Sequence, residues 1–194
     1  MVTYVARNLE PYRGFPSFMR SLPTILAQRP QARILIVGGD EVSYGHRLAD
    51  GQSHRQIMLA ELGDSIDLSR VHFLGKVPYA TFLQVLQISR VHVYLTYPFV
   101  LSWSMLEAMA AGCVVVGSKT APVEEVIRNG ENGFLVDFFS PVELAERVVA
   151  VLASGCDGYA DIREQARRTI VEHYDLKTIC LPAQLQLLDR AMHS

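Results

Sequence analysis

The sequence is poor in cysteine, in tryptophan and in net charge, and each shortage narrows what the chain can be. Its 194 residues include 3 cysteines and 1 tryptophan. Cys113, Cys156 and Cys180 are odd in number and widely spaced, with neither metal-ligand spacing nor a disulfide framework, which points to a reducing compartment. The formal net charge is −2, so no basic field recruits nucleic acid or anionic lipid. No apolar run approaches the roughly 20 residues of a membrane span, and no signal peptide is evident before the first strand-like run at Val2. Two nucleotide motifs are also missing. Gly38-Gly39 follows a strand without a G-x-G-x-x-G frame, and no G-x-x-x-x-G-K-[S/T] phosphate loop occurs. No Ser/His/Asp arrangement stands out, and His92, inside an apparent strand, reads as a sheet-face residue rather than a base.

What is present is a globular composition, 49% hydrophobic and 20% charged, long enough for one large domain with its own core. Short β-branched runs alternate with helical segments. Strands are predicted at Val2–Ala6, Ala32–Val37, Val71–Leu74, Val91–Leu95, Cys113–Val116 and Phe134–Val136. Helices are predicted at Phe15–Gln28 (kinked at Pro23), His54–Leu62, Pro78–Ile88, Trp103–Ala111 and Pro122–Arg128. Asp40–Ser53 reads as a loop. Ser140-Pro141-Val142-Glu143 combines an N-cap serine, a first-turn proline and a capping-box glutamate, and starts a helix to about Leu152. Two further helical stretches, Tyr159–His173 and Leu176–Met192, finish the chain. Strands apolar on both sides and separated by helices imply a doubly wound α/β domain: a parallel sheet with helices on both faces and the C-terminal helices packed at the end. A ligand then belongs at the carboxyl ends of the strands.

Two constellations fall there. Between Met1 and Arg33, the bases Arg7, Arg13, Arg20, Arg29 and Arg33 are opposed only by Glu10. Arg7 ends the first strand, and Arg13 precedes Gly14 at a helix entrance. Paired guanidiniums suit a diphosphate because each donates bidentate, charge-assisted bonds; two solvated surface arginines are the plainer reading. The second constellation is Ser102-Trp103-Ser104-Met105-Leu106-Glu107. A helix starting among the serines leaves amides free for an anion. If Ser104 caps it, Glu107 completes a capping box; otherwise the carboxylate suits a pair of vicinal hydroxyls on a ligand.

Taken in order, YVARNLEPYRGFPSFMRSL, ARILIVGGD, VHFLGKVP and MLEAMAAGCVVVGSKTAPVEEVIRNGENGFLV resemble the C-terminal half of retaining family 4 glycosyltransferases of the GT-B fold. The resemblance covers nearly the whole chain. It implies a Rossmann-like domain that binds a nucleotide-diphosphate sugar, UDP- or GDP-linked. By that resemblance Arg7 and Arg13 hold the diphosphate and stabilise the leaving group, although a lysine is usual where Arg13 stands. Gly14 belongs to the basic-residue–glycine turn, and Gly75 to a turn against the nucleobase. Amides near Trp103 and Ser104 meet a phosphate. Glu107 matches the second glutamate of the family's E-x7-E pair and holds the ribose diol. The first glutamate is absent: Phe99-Val100-Leu101-Ser102 replaces the usual Glu-Gly-Phe-Gly. That loop faces the sugar in the family, so a less polar sugar face is expected here, suited to a deoxysugar.

The resemblance therefore implies the donor-binding domain, residues 1–194, of a hexosyltransferase in polysaccharide or glycoconjugate synthesis at the cell envelope. An N-terminal acceptor domain is expected to be missing, leaving this piece inactive alone. No metal and no cofactor is expected, no nucleic-acid partner, and no direct membrane insertion. A cytoplasmic location is expected, at a membrane face if the absent domain carries it there. The alternatives are a GT-B-like nucleotide-sugar epimerase domain and a non-catalytic nucleotide-sugar-binding or scaffold module.

Overall fold

The computed structural model describes residues 1–46, 48, 51–155 and 157–193. Arg47, Ala49 and Asp50 of the expected Asp40–Ser53 loop, together with Cys156 and Ser194, lie outside the described residues. Six strands form one parallel sheet in the order β3-β2-β1-β4-β5-β6. They are β1 (Val2–Asn8), β2 (Ile34–Gly39), β3 (Val71–Gly75), β4 (Val91–Tyr94), β5 (Val114–Ser118) and β6 (Phe134–Val136). The connecting helices are α1 (Phe15–Gln28), α2 (His54–Leu62), α3 (Tyr79–Gln87), α4 (Trp103–Ala110), α5 (Ala121–Glu124), α6 (Pro141–Ala153), α7 (Ala160–His173) and α8 (Leu181–Met192).

The inner strands β2, β4 and β5 are buried on both faces, as their valine- and isoleucine-rich runs require, while the edge strand β3 is only partly covered. Tyr4, Ile36, Val93 and Val116 join the core made with α1, α2 and α6. Tyr94 and Val115 join Phe82, Met105, Met109 and Ile127 on the opposite face, with α3 and α4. The period of two along β4 and β5 thus divides one apolar run between two cores. In α1, Phe18, Leu22 and Ile25 are fully buried, each burial contributing roughly 1.5–3 kcal/mol. The helix keeps the predicted bounds, with Pro23 inside it. Ala166 carries α7 into the core beside α4, whereas α8 buries no side chain.

Capping follows the sequence only in part. Ser140 accepts the Glu143 amide at 3.2 Å, but the Glu143 carboxylate reaches Asp137 N instead of closing the box on Ser140. A complete capping box stands at Ser53 and Gln56, where the S-x-x-Q pattern was visible in the sequence.

The order of the strands decides where a ligand goes. The sheet is built outward in one direction from β1 to β3 and in the other from β4 to β6. Chain connections leave on opposite sides at the β1/β4 boundary, which opens a crevice at the carboxyl ends of those two strands.

One polar pair lies inside the sheet. Thr3 and His92 are register partners on β1 and β4; Thr3 Oγ1 lies 2.9 Å from His92 Nδ1 and 2.7 Å from Ser89 Oγ. His92 is completely buried, its Nε2 has no partner among the described residues, and burial pushes its pKa down to about 4. The native protein therefore takes this proton less readily than the unfolded chain, whose histidine titrates near 6.5. The associated stability is complete above that value and is lost as the pH falls toward 4, amounting to about 3 kcal/mol. Urea titrations at pH 7 and pH 4 are expected to show this loss in the wild type, with a correspondingly smaller loss in His92→Gln. Equal losses in both proteins would place the acid sensitivity elsewhere.

Candidate functional site

At the β1/β4 crevice lies a cleft of about 470 Å³, lined among others by Arg7, Gly38, Lys76, Tyr79, Ser102 and Ser104. Val5, Val37, Val77 and Phe82 form its apolar walls. Arg7 is exposed and projects from the end of β1. Lys76 follows Gly75, where φ of +67° turns the chain out of β3, and pairs with Glu41. Two cations and two hydroxyls thus converge on one edge of the sheet. Such a group of donors binds an anion with several oxygens.

The serines are placed by Tyr94. Its hydroxyl, at the end of β4, accepts the Ser102 amide at 2.7 Å, and burial raises this phenol's pKa above the ordinary range. Ser102 is then extended, with φ −89° and ψ 140°, and caps α4 by accepting from Ser104 N at 3.4 Å. Its hydroxyl also lies 3.0 Å from Ser104 Oγ. The expected capping box between Ser104 and Glu107 is therefore not formed. The cap lies two residues earlier than that box needs, because Tyr94 fixes the chain at Ser102. Glu107 sits on the second turn of α4 and accepts a 2.9 Å hydrogen bond from the Tyr79 hydroxyl. That bond raises the Tyr79 pKa.

Arg13 stands beside the cleft rather than among its lining residues. Tyr4 Oη donates to the Arg13 carbonyl at 2.7 Å. The guanidinium Nη1 donates to Thr96 Oγ1 at 2.9 Å, to the Val100 carbonyl at 3.2 Å and to Tyr94 Oη at 3.5 Å. It therefore clamps the loop that carries Phe99 and Val100. Gly14, with φ +68°, joins the turn at Pro11–Arg13 to α1. Leu101 and Trp103 turn away into a second, apolar groove of about 230 Å³ with Leu106, Tyr174 and Cys180.

Of the sequence-predicted residues, the structure gathers Arg7, Ser102 and Ser104 in the cleft, and links Glu107 to it through Tyr79. Gly75 forms the turn at its edge, and Arg13, Gly14, Phe99 and Val100 flank it. Lys76 and Tyr79 were missed. For Lys76 the signal was present, a base directly after the glycine turn in VHFLGKVP. For Tyr79 there was none, since its partner is 28 residues away.

Residues 1–169 match the family described as glycosyl transferases group 1, and the chain belongs to that family. It is similar to a phosphatidyl-myo-inositol mannosyltransferase of Mycolicibacterium smegmatis, with 30% identity over 156 residues, covering 78% of this chain and 34% of the relative. Among solved structures it superposes on the C-terminal domain of a group 1 glycosyl transferase, LpcC, of Francisella tularensis with a TM-score of 0.77 and 18% identity. That match covers 91% of this chain and 87% of the other. It also superposes on Anabaena HepE, crystallised with UDP and glucose, with a TM-score of 0.76 and 23% identity, covering 97% of this chain and 48% of that one. The fold is thus the C-terminal half of GT-B. The chain spans between 29% and 40% of the length of the curated relatives it matches.

The Tyr79–Glu107 contact yields a prediction. Glu107→Gln is expected to weaken association of a ribonucleotide by about 1–2 kcal/mol, the difference between hydrogen bonds to a charged and to a neutral acceptor, while the urea midpoint barely moves. Tyr79→Phe, which frees both Glu107 oxygens, is expected to retain that association. A stability loss in Glu107→Gln with normal affinity would make the carboxylate structural.

Proposed function

We propose that this chain is the donor-binding half of a retaining hexosyltransferase and takes a nucleotide-diphosphate sugar, UDP- or GDP-linked, in the β1/β4 cleft. The observation that carries the reading is the convergence of Arg7, Lys76, Ser102 and Ser104 at the carboxyl edge of the sheet. The diphosphate lies against these donors, and Glu107 takes the ribose diol. Gly75 turns beside the nucleobase, and the Phe99–Ser102 loop bounds the sugar. As the sugar leaves, negative charge grows on the diphosphate. Arg7 and Arg13, with the amides at the start of α4, stabilise it without reorganising, which lowers the barrier. The reading needs neither metal nor cofactor, since cationic side chains supply the charge.

Two relatives lend support. One is named as a mannosyltransferase acting on a phosphatidyl-inositol, and the other was crystallised with UDP and glucose. An acceptor domain preceding this one completes the cleft, and the exposed Leu181, Leu185, Leu188 and Met192 of α8 offer it an apolar surface. Alone, the domain binds donor weakly and transfers nothing. The work of the whole protein lies in cell-envelope polysaccharide or glycoconjugate synthesis, on the cytoplasmic side. Equilibrium dialysis against UDP-, GDP-, ADP- and dTDP-linked hexoses tests the reading. Retention of at least one is expected, and retention of none would sink it.

A further inference from the structure

Glu10 is 1% exposed, an uncommon setting for a carboxylate that has no cation bound to it among the described residues. One oxygen, Oε1, accepts three consecutive backbone amides: Ser43 at 2.9 Å, Tyr44 at 3.1 Å and Gly45 at 3.2 Å. The other, Oε2, is buried and has no hydrogen-bond partner among the described residues. Asn8, also buried, donates to Ser43 Oγ at 2.7 Å. Two side chains from the end of β1 therefore hold down the loop that follows β2. A hydrogen bond from an amide to a charged acceptor is worth about twice a neutral one.

The held loop delivers Tyr44 to the site. The Tyr44 ring lies 4.9 Å from the Phe99 ring at an interplanar angle of 69°. The Arg13 guanidinium carbon is 5.3 Å from the Tyr44 centroid and 5.7 Å from that of Phe99. Meanwhile Tyr97 N donates to the Tyr12 carbonyl at 2.9 Å, tying the Pro11–Arg13 turn to the loop after β4. The loops leaving β1, β2 and β4 thus meet around one guanidinium.

We infer that Glu10 is a positioning residue for the donor site: by gathering the Ser43–Gly45 amides it sets Tyr44 against Arg13 and Phe99, fixing the guanidinium and the loop beside the sugar. The inference deepens the proposed function and rests on it. In Glu10→Gln the remaining amide oxygen can still accept the three backbone amides, with neutral rather than charge-assisted bonds, so the loop keeps its place but is held less strongly.

The test titrates wild type, Glu10→Ala, Tyr44→Ala, the double variant and Glu10→Gln with UDP, GDP, ADP and dTDP. Each alanine variant is expected to weaken association about 5- to 20-fold, and the double variant no more than the weaker single, because both remove the same contact. Glu10→Gln is expected to bind more tightly than Glu10→Ala, because it keeps an acceptor for the three amides. Unchanged affinity in Tyr44→Ala, losses that multiply in the double variant, or a Glu10→Gln as weak as Glu10→Ala would each overturn the inference. Should Glu10→Ala not fold, exposed Tyr44 still decides it: Tyr44→Phe is expected to retain binding and Tyr44→Ala to lose it. Silence of the wild type with every nucleotide removes the donor reading and the inference together; binding by the wild type and equally by Tyr44→Ala removes only the inference.

Discussion

Arg13→Ala is expected to weaken diphosphate association by about 1.5–3 kcal/mol, the worth of hydrogen bonds from a charged donor, and to lower the stability of the fold as well. The second effect follows from what Arg13 already does. Its Nη1 serves Thr96, Val100 and Tyr94 at once. Its removal strips a donor from the buried Thr96 hydroxyl and from the Val100 carbonyl, and takes away the guanidinium that lies over the Tyr44 and Phe99 rings. The Thr96 hydroxyl keeps its bond to the Tyr97 carbonyl, so the loss is that of ordinary hydrogen bonds, about 0.5–1.5 kcal/mol each. Arg7→Ala separates the two effects. Arg7 is exposed at the end of β1, so its replacement is expected to weaken the diphosphate similarly while stability stays within about 0.5 kcal/mol. Urea midpoints and dissociation constants for both variants check this. An Arg7→Ala protein with wild-type affinity would return that side chain to the solvated surface.

Gly14→Ala is expected to destabilise the fold by about 2–5 kcal/mol, the sum of left-handed backbone strain and of overpacking. A Cβ at Gly14 would lie 2.4 Å from Leu95 Cβ, at a φ of +68°. Leu95 is 2% exposed in the main core and has no room to withdraw. Gly75 is the natural control, because its φ is +67° and nothing lies within 4 Å of a Cβ built there. Gly75→Ala carries the strain alone, about 1–2 kcal/mol. Equal losses at the two positions would show that the Leu95 contact is not what keeps Gly14 a glycine. Because this turn also carries Arg13, any Gly14→Ala protein that folds is expected to bind diphosphate poorly.

The sheet was legible because local and global preferences agree in it. Runs such as Ile34–Val37 and Val114–Val116 are β-branched and apolar on both sides, and only a covered parallel sheet accommodates them. The resemblance of the ordered segments carried the family. Arg7, Ser102 and Ser104 were findable because each lies at the end of a strand or the start of a helix, where ligands bind in such folds. The errors are non-local in origin. α4 starts at Trp103 because the hydroxyl of Tyr94, eight residues earlier, holds Ser102; the local pattern alone preferred Ser104 as the cap. The Glu143 carboxylate follows Asp137 N instead of its box. Glu10 looked like a lone acid among arginines, and nothing nearby in the sequence indicated that it would be buried beneath residues 43–45.

In the proposed function the β1/β4 cleft takes the diphosphate of a nucleotide. Calorimetric titration of the wild-type chain with UDP, GDP, ADP and dTDP, each beside its parent nucleoside, tests it most directly. At least one diphosphate is expected to bind, with its nucleoside weaker by about 100-fold, as the loss of charge-assisted bonds to two phosphates implies. Silence across the set, or a nucleoside binding as tightly as its diphosphate, would contradict it.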